Sequence, residues 1–265
     1  MIDPAWLADQ PPIAAGVVAS LAAGLATGLG ALPALLLKRI SPRLQSAMLG
    51  FAAGVMLAAS VFSLIVPGLE IAAREHGGIG AILVVGSAIV LGALGLWLID
   101  EHAPHEHFIA GREGPATASL RRVWLFVIAI TLHNFPEGLA VGVGFGAGDP
   151  SNAMALALGI GLQNMPEGLA VAFALIGERY GRAQAVGIAL LTGLIEPIGG
   201  LLGVTAVVVV EPLLPWGLAF AAGSMLFVIC GEIIPETHRK GFQKVGTFGI
   251  ILGFVVMMSL DVTLG

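Results

Sequence analysis

Charged residues are scarce in this sequence, and cysteine occurs once. Only 11% of the 265 residues are charged, whereas a soluble domain carries about 25%. The single cysteine, Cys230, excludes an internal disulfide and any zinc cage built from cysteines. No cluster of Lys and Arg offers a surface for nucleic acid. The N-terminal region has no Lys or Arg before Lys38, so it lacks the positively charged start of a cleaved signal peptide.

Long apolar segments dominate the chain instead. Hydrophobic residues make up 57% of it, and the mean hydropathy is +0.96. Because a membrane-spanning helix needs roughly 20 mainly apolar residues, this pattern predicts an all-α polytopic membrane protein. Residues 1–265 are expected to form a single transmembrane domain. Eight spans, numbered here in chain order, are predicted at 13–37, 46–70, 79–100, 122–147, 152–177, 183–210, 213–237 and 243–263.

The positive charges predict the orientation of these spans. With eight spans, eleven of the twelve Lys and Arg residues fall on one side, and only Arg74 falls on the other. Because cytoplasmic loops carry an excess of Lys and Arg, that side is expected to be cytoplasmic and both termini extracytoplasmic. The longest connection, at about 101–121, is then a cytoplasmic loop. Its histidines belong either to a solvated loop or to a weak metal-collecting site: His102, His105 and His107.

A polar motif is repeated inside two neighbouring spans. Residues 132–145 read LHNFPEGLAVGVGF and residues 162–175 read LQNMPEGLAVAFAL, with eight of fourteen positions identical. Polar and ionisable residues within a membrane span are costly and mark functional sites by default. The pair is therefore interpreted as two halves of one site.

The spacing of the motif places its polar side chains together. His133 and Glu137 share one helical face as residues i and i+4, and Gln163 and Glu167 repeat that pair. Since spans 4 and 5 are predicted to be antiparallel, the two carboxylates should meet at one depth. Two bare carboxylates would repel each other there, whereas divalent cations could bridge them.

Three further residues extend this predicted site. Glu196 lies in span 6, Glu232 in span 7 and Met56 in span 2. Imidazole, thioether, amide and carboxylate groups together suit a borderline metal such as Zn²⁺ better than Mg²⁺ or Ca²⁺. Simpler alternatives remain for two of them, because Glu232 could be a structural hydrogen-bond partner and Met56 could serve packing alone.

The two motifs also carry a family resemblance. HNFPEG at 133–138 and QNMPEG at 163–168 resemble the signature of the ZIP family of divalent-metal transporters, especially its bacterial GufA-like branch. The resemblance implies uptake of Zn²⁺ into the cytoplasm across a bacterial inner membrane, with Cd²⁺, Fe²⁺ and Mn²⁺ as further ions. The metal is then the transported ion, and no catalytic cofactor or enzymatic activity is expected.

The resemblance further implies a binuclear metal centre bridged by Glu137 and Glu167. The first metal would be held by Met56, His133, Glu137, Gln163 and Glu167. The second would be held by Asn134, Glu137, Asn164, Glu167 and Glu196. Many members have His in place of Gln163, and Asp can occupy position 164. Glu232 would bind a further metal on the exit side, and an entrance would be formed by Ser63, Glu70 and Asp261.

The family fold implied by the resemblance is a bundle in which spans 1–3 and 6–8 form an inverted repeat around spans 4 and 5. Transport would proceed by alternating access. The resemblance implies an elevator-like slide of the bundle that contains spans 4 and 5, often in a homodimer.

Other functions compete with metal transport. An intramembrane metal-dependent hydrolase needs an open metal position and a base, but residues 133–137 read HNFPE rather than HExxH. A helical assembly protein would leave the buried carboxylates unexplained. A proton-coupled exchanger for another substrate would have less use for His133 and Met56.

Overall fold

The computed structural model describes most of the chain, namely residues 10–37, 40–102, 105–107, 111–113, 122–177, 179–239 and 241–264. It is a bundle of helices with a short hairpin in the loop after span 3. The helices are α1 (Pro12–Ala31), α2 (Pro42–Ala58), α3 (Val66–His102), α4 (Arg122–Gly146), α5 (Pro150–Gly177), α6 (Arg182–Gly193), α7 (Glu196–Val209), α8 (Leu214–Val228), α9 (Ile234–Arg239) and α10 (Gln243–Leu264). The antiparallel strands are β1 (His105–His107) and β2 (Gly111–Glu113).

The helices have the length and surface of a membrane bundle. Five helical stretches of the described chain are long and apolar enough to cross a membrane: Pro12–Leu35, Pro42–Ile99, Arg182–Val209, Leu214–Thr237 and Gln243–Leu264. Large apolar side chains cover the outside of the bundle, as at Ile79 and Val262, which are 80% and 78% exposed. Such a surface fits a hydrocarbon solvent. The predicted all-α class of membrane protein is therefore confirmed.

The predicted boundary between spans 2 and 3 differs from the observed one. The chain is helical from Pro42 onwards, passes through a π-helical segment at Ala59–Ile65, and continues into α3. The break between the two spans is the single residue Gly77, with φ of 71° and ψ of 174°. Glycine adopts this conformation without the steric cost that a side chain would bring. One residue therefore separates the two helical stretches, where the sequence predicted a connection at 71–78.

Span 6 is broken in its middle, contrary to the continuous helix predicted at 183–210. Helix α6 ends at Gly193, and α7 begins at Glu196. Proline at position 197 cannot donate to the carbonyl of Gly193, and it disfavours helical geometry in the residue before it. Glu196 consequently lies in the first turn of a helix, where the helix dipole favours negative charge.

Span 7 is also irregular, because a π-helical segment at Ile229–Ile233 separates α8 from α9. Spans 2 and 7 therefore each contain a π-helical segment. Such segments are rare and frequently lie at functional sites. The segment in span 2 contains Ser63, and that in span 7 contains Glu232.

Close backbone contacts at glycines divide the bundle into two sets of helices. In the site set (α1, α4, α5, α6 and α7), a Cβ at Gly24 would lie 2.2 Å from the carbonyl oxygen of Gly193. In the second set (α2, α3, α8, α9 and α10), a Cβ at Gly54 would lie 2.0 Å from the oxygen of Ile250. Among the described glycines, no such backbone approach joins one set to the other. Side chains mediate the glycine contacts between the sets, as where Gly159 meets the sulfur of Met257.

Candidate metal centre

The polar residues of α4 and α5 lie inside the bundle. Each helix runs unbroken through its internal proline, Pro136 in α4 and Pro166 in α5. Most of the predicted ligands are buried: His133, Asn134, Glu137, Gln163, Asn164, Glu167, Glu196 and Met56. The bundle thus encloses the residues that the two motifs contribute, together with one carboxylate from α7.

Three carboxylates form the centre of this site. Glu137 of α4 interacts electrostatically with Glu167 of α5 and with Glu196 of α7. Glu196 also interacts with Glu167. Like charges in a low-dielectric interior repel each other strongly, so the arrangement favours a ligand of positive charge. The structure brings together the carboxylates that the sequence predicted to converge.

The amides of α5 hold one side of this cluster. Asn164 Nδ2 donates to Glu196 Oε1 at 2.7 Å and to the carbonyl oxygen of Ala23 in α1 at 2.9 Å. Gln163 Nε2 donates to Asn164 Oδ1 at 2.5 Å. Span 1 therefore takes part in the site through its backbone.

Seven buried polar atoms of the site have no hydrogen-bond partner among the described residues. Four of these atoms are the side-chain oxygen and nitrogen of Asn134 and the two carboxylate oxygens of Glu137. The others are Gln163 Oε1, Glu167 Oε2 and Glu196 Oε2. Burying a polar group without a hydrogen bond costs on the order of 1–3 kcal/mol. Six of the seven are oxygen atoms that can bind a cation, and binding one would offset this cost.

Glu232 lies beside His133 and thus extends the site. His133 Nε2 is 2.7 Å from Glu232 Oε2 across the boundary between the site set and the second set. Glu167 interacts electrostatically with both residues. The sequence assigned Glu232 to a further metal on the exit side. The structure places its side chain next to His133, a predicted ligand of the first metal, and the exit-side role stays a prediction.

Met56 is 1% exposed and belongs to the main hydrophobic cluster of the bundle. The hydroxyl of Ser60 donates to its backbone carbonyl at 2.8 Å. In the part of the chain that the structure describes, no three His, Cys, Asp or Glu side chains form a ready-made metal-ligand group. The ligand sets predicted from the sequence stay predictions.

The predicted entrance residues lie around a second feature, a cavity of about 210 Å³. Ser63 and Glu70 line it, and the hydroxyl of Ser63 donates to Asp261 Oδ1 at 2.8 Å. The sequence reasoning missed two charged residues of this lining, Arg74 and Asp149. Its role as the entrance stays a prediction.

The loop histidines are only partly described. His102 lies at the end of α3, where its Nδ1 is 2.8 Å from the carbonyl oxygen of Leu98. His105 and His107 lie in β1, and their side chains are outside the described residues. The metal-collecting role of this loop therefore stays a prediction.

Sequence reasoning also missed a repeat in which Met225 corresponds to Met56. Residues 51–57 read FAAGVML and residues 220–226 read FAAGSML, differing only at the fifth position. Met56 and Met225 occupy the same place in the repeat, and both are buried. Comparing the two segments at an offset of 169 residues would have found it from the sequence.

A bundle with an apolar outer surface and an enclosed cluster of carboxylates, amides and imidazole defines an integral membrane protein with a buried polar centre. The model of the ZIP zinc transporter family matches residues 100–261. The chain is 48% identical to the zinc transporter GufA of Myxococcus xanthus over 252 residues, covering 95% of this chain and 99% of the relative. It is 48% identical to the zinc transporter ZIPB of Bordetella bronchiseptica, covering 94% and 81%.

A human relative, the zinc transporter ZIP11, is 36% identical over 305 aligned residues, covering 84% of this chain and 89% of that protein. The chain belongs to the ZIP family, as the motifs indicated. This is a family of transporters and not of enzymes. The intramembrane hydrolase has no support from these matches.

Proposed function

We propose that the protein transports Zn²⁺ across the membrane towards the cytoplasm by alternating access, through the site between α4 and α5. The observation that carries this proposal is the set of unpaired oxygens on buried, mutually repelling carboxylates, led by both oxygens of Glu137. Such a cluster is stabilised by a divalent cation. Cd²⁺, Fe²⁺ and Mn²⁺ are proposed as further ions, because the donors combine hard oxygen with softer nitrogen and sulfur.

The proposed ligand sets are those that the resemblance implies. Met56, His133 and Gln163 complete the first metal position, and Asn134, Asn164 and Glu196 complete the second. Glu137 and Glu167 bridge the two. The hydrogen bond from Asn164 to Glu196 supports their assignment to one metal position. The contact of Glu232 with His133 supports a path along which an ion leaves the first position.

The movement proposed for transport is a slide of the site set against the second set. Backbone-to-backbone glycine contacts hold each set together, whereas side chains mediate the glycine contacts between the sets. Close backbone contacts resist relative displacement more than side-chain contacts do. The eight spans, their inverted repeat and the extracytoplasmic termini belong to the same proposal. A homodimer and a location in the bacterial inner membrane stay predictions.

The test is uptake of radioactive Zn²⁺ into liposomes that hold the purified protein. Wild type should show saturable uptake. The variants Glu137→Gln and Glu167→Gln keep the volume of each side chain but remove its charge, so each should lower the initial rate by at least about tenfold.

Glu75→Gln is the matched control, because Glu75 is an exposed glutamate outside the site. Its uptake should equal that of wild type. Saturable wild-type uptake that persists in both site variants would contradict the proposed site. Wild-type protein without uptake, although correctly folded and inserted, would contradict the proposed function itself.

A further inference from the structure

Two glycines of α1 recur in α6 and α7 at the offset of 169 residues. Gly24 corresponds to Gly193, and Gly30 corresponds to Gly199. The spacing is the one that relates the two FAAG segments. At this offset, Thr27 of α1 corresponds to Glu196 of α7.

Packing confirms that these glycines occupy corresponding places. A Cβ at Gly30 would lie 2.2 Å from the carbonyl oxygen of Met165, in the second motif. A Cβ at Gly199 would lie 2.5 Å from the carbonyl oxygen of Phe135, the corresponding residue of the first motif. Gly24 and Gly193 approach each other reciprocally, with each Cβ position 2.2 Å from the other's carbonyl oxygen.

The same correspondence holds at Thr27 and Glu196. Gly138, which follows Glu137, packs on the backbone of Glu196, where a Cβ would lie 2.1 Å from its carbonyl oxygen. Gly168, which follows Glu167, packs on the backbone of Thr27 with the corresponding distance of 1.9 Å. Each bridging carboxylate is thus followed by a glycine that holds one member of the pair.

Thr27, like its counterpart Glu196, has a buried side-chain oxygen without a hydrogen-bond partner among the described residues. It is 0% exposed, and its Oγ1 has no partner among the described residues. Other buried hydroxyls in these helices behave differently: Ser20 donates to Gly16 O at 2.8 Å, and Thr192 donates to Ala189 O at 2.8 Å. Bonding to a carbonyl of the preceding turn is the usual solution for such a residue. Thr27 does not use it.

We propose that the hydroxyl of Thr27 is an oxygen donor to the transported cation, in the position that Glu196 holds in the other half of the site. This inference rests on the proposed transport function. Asn134 supports it, because its counterpart Asn164 donates to Glu196, whereas neither the Asn134 amide nor the Thr27 hydroxyl has a hydrogen-bond partner among the described residues. Both groups are therefore available to a cation. A neutral hydroxyl binds a cation more weakly than a carboxylate does. The two halves therefore differ in affinity for the ion.

The test compares Thr27→Val with Thr192→Val in the liposome assay. Both changes replace a buried threonine by a β-branched residue of similar size, but only Thr27 has a hydroxyl without a partner. Thr27→Val should raise the KM for Zn²⁺ by about three- to tenfold. It should also weaken competition by Mn²⁺ more than competition by Cd²⁺, because a hydroxyl is a hard ligand. Thr27→Ser should restore both values.

Thr27→Cys supplies a second readout if the valine variant does not insert. Its softer sulfur should shift preference from Mn²⁺ towards Cd²⁺ relative to wild type. The inference would be overturned if Thr27→Val and Thr192→Val had equal KM values and equal metal competition, or if Thr27→Cys left the metal preference unchanged. Uptake by the wild type would in that case still support the transport function. Absence of wild-type uptake would instead overturn the function on which the inference rests.

Discussion

The contact of His133 with Glu232 shows how one residue pair joins the two sets of helices. His133 belongs to α4, and Glu232 belongs to the π-helical segment of span 7. Their side chains are 8% and 11% exposed, so the pair is largely shielded from solvent. Any slide of the site set against the second set must change this contact. Binding of a metal by His133 and movement of the helices are therefore expected to be coupled.

A double-mutant cycle tests whether this pair acts as a unit. Zn²⁺ affinity would be measured by titration calorimetry for His133→Ala, Glu232→Ala and the double variant. The two effects should be non-additive by more than about 0.5 kcal/mol, because residues in direct contact within one network share their interaction energy.

The exposed pair His76 and Glu75 provides the control for that cycle. Their closest atoms are 3.6 Å apart, and both side chains are about half exposed. Exposed ion pairs contribute little, so the corresponding alanine variants should leave Zn²⁺ affinity unchanged. Additive effects at His133 and Glu232 would show that they bind metal independently.

At the scale of the helix, the glycines that follow the two motif glutamates determine how closely α4 and α5 approach the backbones of their neighbouring helices. Gly138 allows α4 to touch the backbone of Glu196 at the start of α7. Gly86 in α3 has no atom within 4 Å of its Cβ position. The two glycines are therefore equally helical but differ in what a methyl group would meet.

We expect the substitutions Gly138→Ala and Gly86→Ala to differ in their effect on stability and on uptake. Gly138→Ala should separate α4 from α7 and lower the free energy of unfolding by about 1–3 kcal/mol, with loss of Zn²⁺ uptake. Gly86→Ala should be neutral or stabilising by up to about 1 kcal/mol, because alanine favours helix more than glycine does. Thermal unfolding in detergent and liposome uptake measure both. Equal melting temperatures for the two variants would refute the packing argument.

The sequence predicted these elements unevenly, for physical reasons. A helix is observed at Arg122–Gly146, close to the span predicted at 122–147, because a long apolar run favours one continuous helix. The break before Glu196 was missed, since hydropathy does not register the loss of one backbone hydrogen bond at Pro197. Thr27, proposed above as a further donor, was not singled out from the sequence, because a threonine barely disturbs an apolar run, whereas a carboxylate such as Glu137 stands out.

At the scale of the whole molecule, loop charges predict which side of the membrane each terminus occupies. The connection between α5 and α6 contains Arg179, and α6 begins at Arg182. Because Lys and Arg are retained in the cytoplasm, this connection should be cytoplasmic and Gln10 extracytoplasmic.

Cysteine labelling tests this orientation. Cys230 is the only cysteine, so Cys230→Ser provides a background free of thiols. On it, Gln10→Cys should react with a membrane-impermeant maleimide in intact cells. Gly181→Cys should react only after permeabilisation, and it is a mild substitution because no atom lies within 4 Å of the Cβ position. Labelling of Gly181→Cys in intact cells would reverse the predicted orientation.

The antiparallel arrangement of α1 and α6–α7 has a consequence for biosynthesis. Gly24 meets Gly193, while Gly28 meets Leu190 on one side of that contact and Gly16 meets Val204 on the other, so the two stretches run in opposite directions. If both stretches cross the membrane, they enter it from opposite sides during synthesis. Their apolar residues give the insertion machinery no preferred direction, and the flanking basic residues have to supply it. A chain that lost those few basic residues would be expected to insert one of the two segments in the wrong orientation.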